Sequence, residues 1–288
     1  MLTDGLPLVE GVEHRWVDLP DLRMHVAEAG QGDPLVLLHG WPQHWYCWRE
    51  LVPALSGQFR LVMPDLRGFG WSDAPGQGYD AETFAADIVA LLDTLSLDRV
   101  KLVGHDWGGF TAFLLGLRYP ERIERIVACN APHPWAPLSG RTFLNLWRTW
   151  YAVVAASPGL GPYLVSRRRS FSWFLGLGRP NLTSDVKAVY AERLADPARA
   201  RASAALYRYY LRVAARILIA HRFEGERLTV PTRMVFGADD IHIPPASVAG
   251  GERHGDDFQI EYVPGCGHYM AEDCPEILID RIRKFLLD

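Results

Sequence analysis

The chain has 288 residues, 49% of them hydrophobic and 22% charged, which suits one large domain or a core with an insert around a substantial apolar interior. A formal net charge of -4 excludes an electrostatic case for nucleic acid or an anionic membrane surface as partner. No apolar run reaches membrane-spanning length and residues 1–13 lack a basic segment followed by an apolar one, so the expected location is cytoplasmic, and Cys47, Cys129, Cys266 and Cys274, which have no metal-ligand spacing, are expected as reduced thiols.

Two short strands are predicted over His14 to Ala29, joined by a turn at Pro20-Asp21. The buried-strand run Leu35 to Leu38 ends in His39-Gly40-Trp41-Pro42, and a second, Phe59 to Met63, runs into the Gly-rich loop Pro64 to Gly70. An amphipathic helix follows from about Ala81 to Leu95, with Phe84, Ile88, Leu91 and Leu92 on one face. Next come a strand over Val100 to Val103, a helix opening at Trp107 and ending near Tyr119-Pro120, and a strand over Ile123 to Ala128 that stops at Asn130-Ala131-Pro132-His133. Alternation of this kind implies a parallel sheet covered on both faces, with its functional groups at the carboxyl ends of the strands. Residues 135–225, rich in Trp, Tyr, Leu, Ala and Arg, show no buried strand and are expected to form an inserted helical cap on a core made of residues 1–134 and 226–288. Strand texture returns at Thr232 to Phe236 and Phe258 to Val263, and a helix over Pro275 to Leu287 closes the chain.

The stretch Gly104-His105-Asp106-Trp107-Gly108 has the shape of a nucleophile elbow, a strand-to-helix turn so crowded that only small residues fit two positions either side of its centre. The centre is Asp106 rather than Ser. A carboxylate is already ionised and needs no base to activate it. Its attack on an acyl group would give a labile anhydride, whereas its attack on an alkyl carbon gives an ester that water can later cleave, so the target is expected to be an electrophilic sp³ carbon.

Hydrolysis of that ester requires a base for water and a group that holds the base's tautomer. After strand Met234 to Phe236 the chain offers Asp239-Asp240, and after Val263 it offers His268, each in a loop at a strand's carboxyl end. The elbow GHDWGG, the loop HGWP and the loop CGH, which contains His268, together resemble the α/β-hydrolase fold of the epoxide hydrolase branch, a mostly parallel central sheet flanked by helices with an inserted helical cap. The similarity runs from about His14 to Phe285. It selects Asp240 over Asp239, because family members place the acid three residues after the Gly that ends the strand. It implies an oxyanion hole from the backbone N–H groups of Trp41 and Trp107, a substrate-binding role for His39, Trp107 and Tyr210, and two cap tyrosines that hydrogen-bond the leaving oxygen. The first lies eight residues before the Gly of a Pro-Gly break, which points to Tyr151; the second precedes an Arg late in the cap, which points to Tyr207, with Tyr210 one helical turn on as the alternative.

The reaction so implied converts a small apolar or aryl epoxide to a vicinal diol with no cofactor and no metal, in a monomer or a homodimer. Haloalkane dehalogenases resemble the chain as well, with Trp107 as a halide donor and Trp147, Trp150 and Trp173 as further indoles, but they usually carry Asn or Glu where this chain has Trp41. Fluoroacetate dehalogenases tend to have Arg at the position of Trp107. A non-catalytic ligand carrier on the same fold would have no reason to keep Asp106, Asp240 and His268 together.

Overall fold

A computed structural model describes residues 2–3, 5–135, 150–176, 182–220 and 223–287, with the side chains of residues 2, 3, 170, 173 and 213–220 left out of the description. Eight strands form one sheet: β1 (Val12–Asp18), β2 (Arg23–Ala29), β3 (Asp33–Leu38), β4 (Phe59–Pro64), β5 (Val100–His105), β6 (Ile123–Cys129), β7 (Thr232–Gly237) and β8 (Phe258–Val263). Their spatial order is β8-β7-β6-β5-β3-β4-β2-β1. From β8 to β4 all neighbours run parallel, while β2 pairs antiparallel with both β4 and β1. β5 is buried at every position, as expected of a central strand with both faces covered and a run of aliphatic residues.

The order explains where a site can form. The chain leaves β4 at one side of β3 and returns as β5 on the other, so the direction of winding reverses at β3 and opens a crevice beyond the carboxyl ends of β3 and β5. Register then aligns the ends. Leu38 is opposite Gly104, His105 opposite Cys129, Cys129 opposite Val235, and Gly237 opposite Val263. The residues that follow these positions leave the sheet along one edge.

Helix α1 (Ala81–Thr94) starts at Asp80, whose carboxylate accepts the Thr83 N–H at 2.9 Å, and buries Phe84, Ile88, Leu91 and Leu92 as their spacing predicts. α2 (Trp107–Arg118) follows β5 directly. Between β6 and β7 the described residues form α3 (Trp150–Ala156), α4 (Leu160–Ser166), α5 (Arg168–Gly176), α6 (Ser184–Leu194) and α7 (Pro197–Ala220), with the break between α3 and α4 at the expected Pro158-Gly159. These helices are tied to the sheet loops by buried polar contacts. Arg199 donates to the carbonyls of Gly70 and Ser72 at 2.6 and 2.8 Å, and the Tyr190 hydroxyl donates to Glu272 at 2.5 Å. α8 (Pro275–Leu286) closes the chain and buries Leu278, Ile282 and Leu286. Among the described residues, no helix is long and apolar enough to cross a membrane.

One expectation is corrected. Cys266 and Cys274 are joined in a disulfide, while Cys47 and Cys129 are free and buried. The short helix Met270–Asp273 turns the chain back after β8 and brings the two Cα atoms to 6.1 Å, within the range a disulfide spans.

Candidate active site

Asp106 sits at the junction of β5 and α2 with φ 50° and ψ -115°. Its neighbours must be small. A Cβ at Gly108 would lie 2.0 Å from the Leu38 carbonyl oxygen, and one at Gly40 would lie 2.4 Å from Asp106 Cβ. The bare Gly40 therefore lets the loop after β3 approach the elbow, and the Trp41 N–H donates to Asp106 Oδ2 at 3.0 Å. The Trp107 N–H, at the start of α2, donates to the same carboxylate, where the positive end of the helix dipole also favours negative charge. Burial of the carboxyl group nevertheless dominates and pushes its pKa up to about 6, against the pull of His268 and the two N–H donors.

His268 and Asp240 meet at the neighbouring strand ends, with His268 Nδ1 2.8 Å from Asp240 Oδ2. Donation from Nδ1–H leaves Nε2 as the basic nitrogen. Asp240 Oδ1 accepts the N–H groups of His242 and Ile243 at 2.7 and 2.9 Å. Burial opposes charge on Asp240, but the charge and hydrogen bond of His268, with the donors of Ile243 and Asn130, outweigh it and hold the carboxyl below its ordinary range. Burial likewise disfavours the imidazolium of His268, and the charge and hydrogen bond of Asp240, with a further contribution from Asp106, raise its pKa above the ordinary histidine value. Asp239, the adjacent alternative, is not the carboxylate that faces His268.

Three groups in this constellation carry no expectation from sequence. Asn130, at φ 41° immediately after β6, donates from Nδ2 to Asp240 Oδ2 at 2.8 Å and accepts the Gly237 N–H at 3.1 Å. His105 donates from Nε2 to the His268 carbonyl at 2.9 Å. The ring of His242 packs edge-on to both His268 and Tyr151, with centroids 5.0 and 5.6 Å apart. An Asn directly after a strand that flanks the elbow, tolerant of positive φ, is the one signal the sequence held.

The tyrosines from the inserted helices reach this site. Tyr151 and Tyr207 meet edge to face at 5.8 Å, and Tyr210 lies 6.3 Å from Tyr207 and 6.0 Å from Trp107. Burial raises all three phenols above their ordinary pKa and the charge of Asp106 adds to it, so each is a neutral donor. The geometry thus gathers Tyr207 and Tyr210 together rather than choosing between them. Trp41 joins the two layers: its indole donates to Ser203 Oγ at 3.0 Å and packs on Tyr207, Phe174 and Tyr151.

His39 departs from its expected substrate-binding role. The ring is wholly buried, donates from Nδ1 to the Gly40 carbonyl at 3.0 Å and accepts the Leu66 N–H at Nε2 at 2.9 Å. With both nitrogens bonded to backbone it braces the loop that presents Trp41. Of the candidate indoles, Trp150 is 46% exposed, and Trp147 and the side chain of Trp173 lie outside the described residues.

Residues 33–270 match the family model of the α/β hydrolase fold. The chain is similar to a soluble epoxide hydrolase of Corynebacterium sp. (strain C12), 32% identical over 95% of this chain and 97% of that protein. It is also similar to epoxide hydrolase 4 of Mus musculus, at 29% identity over 95% of this chain and 79% of that one. Among solved structures, the ligand-free epoxide hydrolase CorEH superposes with a TM-score of 0.82 at 30% identity, covering 96% of this chain and 99% of that chain.

Proposed function

The chain belongs to the α/β-hydrolase family, and from that premise we propose that it is an epoxide hydrolase working through a covalent ester on Asp106. The observation that carries the reading is the carboxylate of Asp106, held at Oδ2 by the Trp41 N–H among buried phenols that are neutral donors. Residues 135–225 serve as the cap that supplies those phenols, and residues 1–134 and 226–288 as the hydrolase core.

In the first step Asp106 Oδ1 attacks the less hindered epoxide carbon and the C–O bond of the ring breaks. The electron pair passes to the ring oxygen, which takes a proton from Tyr151 or Tyr207 while the other phenol hydrogen-bonds it. In the second step His268, oriented by Asp240, removes a proton from water, and the resulting hydroxide attacks Cγ of the ester. Negative charge develops on Oδ2, already held by the Trp41 N–H, with the Trp107 N–H also donating to this carboxylate, each such donor contributing about 3 kcal/mol in related chemistry. The tetrahedral species expels the second diol oxygen, which takes the proton from His268. The proton left on the regenerated carboxyl returns to the tyrosinate. The sum is epoxide plus water to vicinal diol.

The test is purified protein with styrene oxide and with 1-bromobutane, following diol and bromide, beside the Tyr151→Phe/Tyr207→Phe double variant. Diol formation that drops by about a hundredfold or more in the variant supports the reading. Bromide release that survives in the variant makes the protein a dehalogenase instead.

A further inference from the structure

The Cys266–Cys274 disulfide encloses the segment that carries His268, and its two ends are unlike. Cys266 is wholly buried between Gly265 and Gly267, and its carbonyl accepts the Asp239 N–H at 3.0 Å, which ties it to the loop that carries Asp240. Cys274 is part-exposed, just before α8, and is open to a thiol from solvent. Its end of the loop is pinned, because Glu272, two residues earlier, accepts from Gln43, Arg49 and Tyr190. Two thiols need more room than a bonded pair of sulfurs, and a close-packed interior has little to give. With the Cys274 end pinned, the displacement on reduction falls on Cys266, whose glycine neighbours yield most easily. His268 lies two positions on.

None of the groups that form the ester lies in this loop: Asp106 belongs to the turn between β5 and α2, and Tyr151 and Tyr207 belong to α3 and α7. We propose that Cys266–Cys274 is a thiol-exchange site that controls the second step alone. Opened by a dithiol reductant, it leaves the protein able to form the ester on Asp106 but slow to hydrolyse it. The inference rests on the epoxide hydrolase reading, in which His268 acts only on water. A thiolate of the dithiol attacks Cys274 Sγ, the S–S bond breaks, and its electron pair passes to Cys266 Sγ, which takes a proton. The second thiol of the reagent then attacks the reagent's own sulfur in the mixed disulfide and displaces Cys274 Sγ, which takes a proton in turn. The dithiol is oxidised to a disulfide and the protein is reduced to two thiols. Misplacing a reacting group by about 1 Å can cost about a hundredfold in rate, so ester hydrolysis should slow by about ten- to a hundredfold.

The experiment follows single turnovers of styrene oxide by quenched-flow mass spectrometry in the oxidised parent, the parent reduced with dithiothreitol, the same sample reoxidised, and Cys274→Ser. Tryptophan fluorescence confirms that each is folded. Thiol alkylation after denaturation confirms the redox state, since Cys47 and Cys129 alone are free in the oxidised protein. The expected result is ester hydrolysis slowed by about ten- to a hundredfold on reduction, with ester formation little changed and the parent rate restored on reoxidation. Cys274→Ser should hydrolyse the ester slowly with or without dithiothreitol. An unchanged hydrolysis rate in the reduced parent, an equal fall in both steps, or a dithiothreitol effect that persists in Cys274→Ser overturns the proposal. Hydrogen exchange reads the loop without turnover: residues 264–273 should exchange faster by about tenfold or more after reduction, and unchanged exchange overturns the proposal whatever the reaction. Faster exchange with no ester on Asp106 from any epoxide overturns the proposed function instead, and leaves Cys266–Cys274 standing as the site that fixes the His268 loop.

Discussion

Asn130 donates its amide to Asp240 Oδ2 at 2.8 Å, the same oxygen that His268 engages at the same distance. The carboxylate is thus fixed from β6 as well as from its own loop. Asn130→Asp keeps an acceptor for the Gly237 N–H but removes this donor and adds a second negative charge beside Asp240. A hydrogen bond to a charged group is worth about 1.5–3 kcal/mol, so hydrolysis of the ester should slow by roughly 10–100-fold. Formation of the ester should be little changed, and mass spectrometry should find the ester accumulating on Asp106 during turnover.

The raised pKa of Asp106, about 6, sets two pH effects of opposite sense. As the proposed nucleophile, Asp106 must be ionised, so single-turnover alkylation should rise with pH through about 6 and then level. Stability runs the other way. A carboxyl whose folded pKa lies above its unfolded value of about 3.9 favours the folded state when protonated, and that contribution is lost as pH rises from about 4 through about 6. Asp106→Asn removes the burden, and should stabilise the protein by about 1–3 kcal/mol at pH 8 and by much less at pH 4. Urea unfolding of both proteins at the two pH values checks it; a gain that does not grow with pH would sink the idea.

Tyr190 of α6 donates to Glu272 Oε1, which also accepts from Gln43 at 2.9 Å, while Oε2 accepts from Arg49 at 2.9 Å. One buried carboxylate therefore joins an inserted helix to the loop that follows Trp41 and to the short helix after His268. Tyr190→Phe leaves Gln43 and Arg49 in place on Glu272 and should cost about 1–3 kcal/mol of stability. Because the contact lies outside the reacting groups, KM for a bulky epoxide should change more than ester hydrolysis does, measured by steady-state and single-turnover kinetics.

The Cys266–Cys274 disulfide closes a loop of sequence separation 8 that carries His268 and Tyr269. By loop-closure entropy such a link contributes about 2.5 kcal/mol. Cys274→Ser, or the parent protein in reductant, should lose about that much in urea unfolding, and the two effects should not add.

The elbow turn at Asp106 and the strand positions were legible because each follows from local sterics or from a run of apolar residues. Gly104, Gly108 and Asp106 announce the elbow, since no larger residue fits beside it. Asp240 needed the family's spacing, because Asp239 is chemically identical and one position away. Asn130 was not readable as a partner: a polar residue after a strand has the signature of any turn, and its contact with Asp240 spans 110 positions. The bracing contacts of His39 were not legible, because neither the resemblance nor the residue type tells which ring nitrogens the backbone takes. Tyr207 and Tyr210, three apart on one helix, share a face, and both reach the region of Asp106.

Under the proposed ester mechanism, the grip of the Trp41 N–H on Asp106 Oδ2 would give the protein an isotopic memory. If Oδ1 always attacks, Oδ1 leaves with each diol and a solvent oxygen takes its place, while Oδ2, held by the Trp41 N–H, never departs. After many turnovers in heavy-oxygen water, the peptide carrying Asp106 should gain one labelled oxygen and stop there. A second label would mean that the carboxylate rotates between turnovers and that the two oxygens exchange roles.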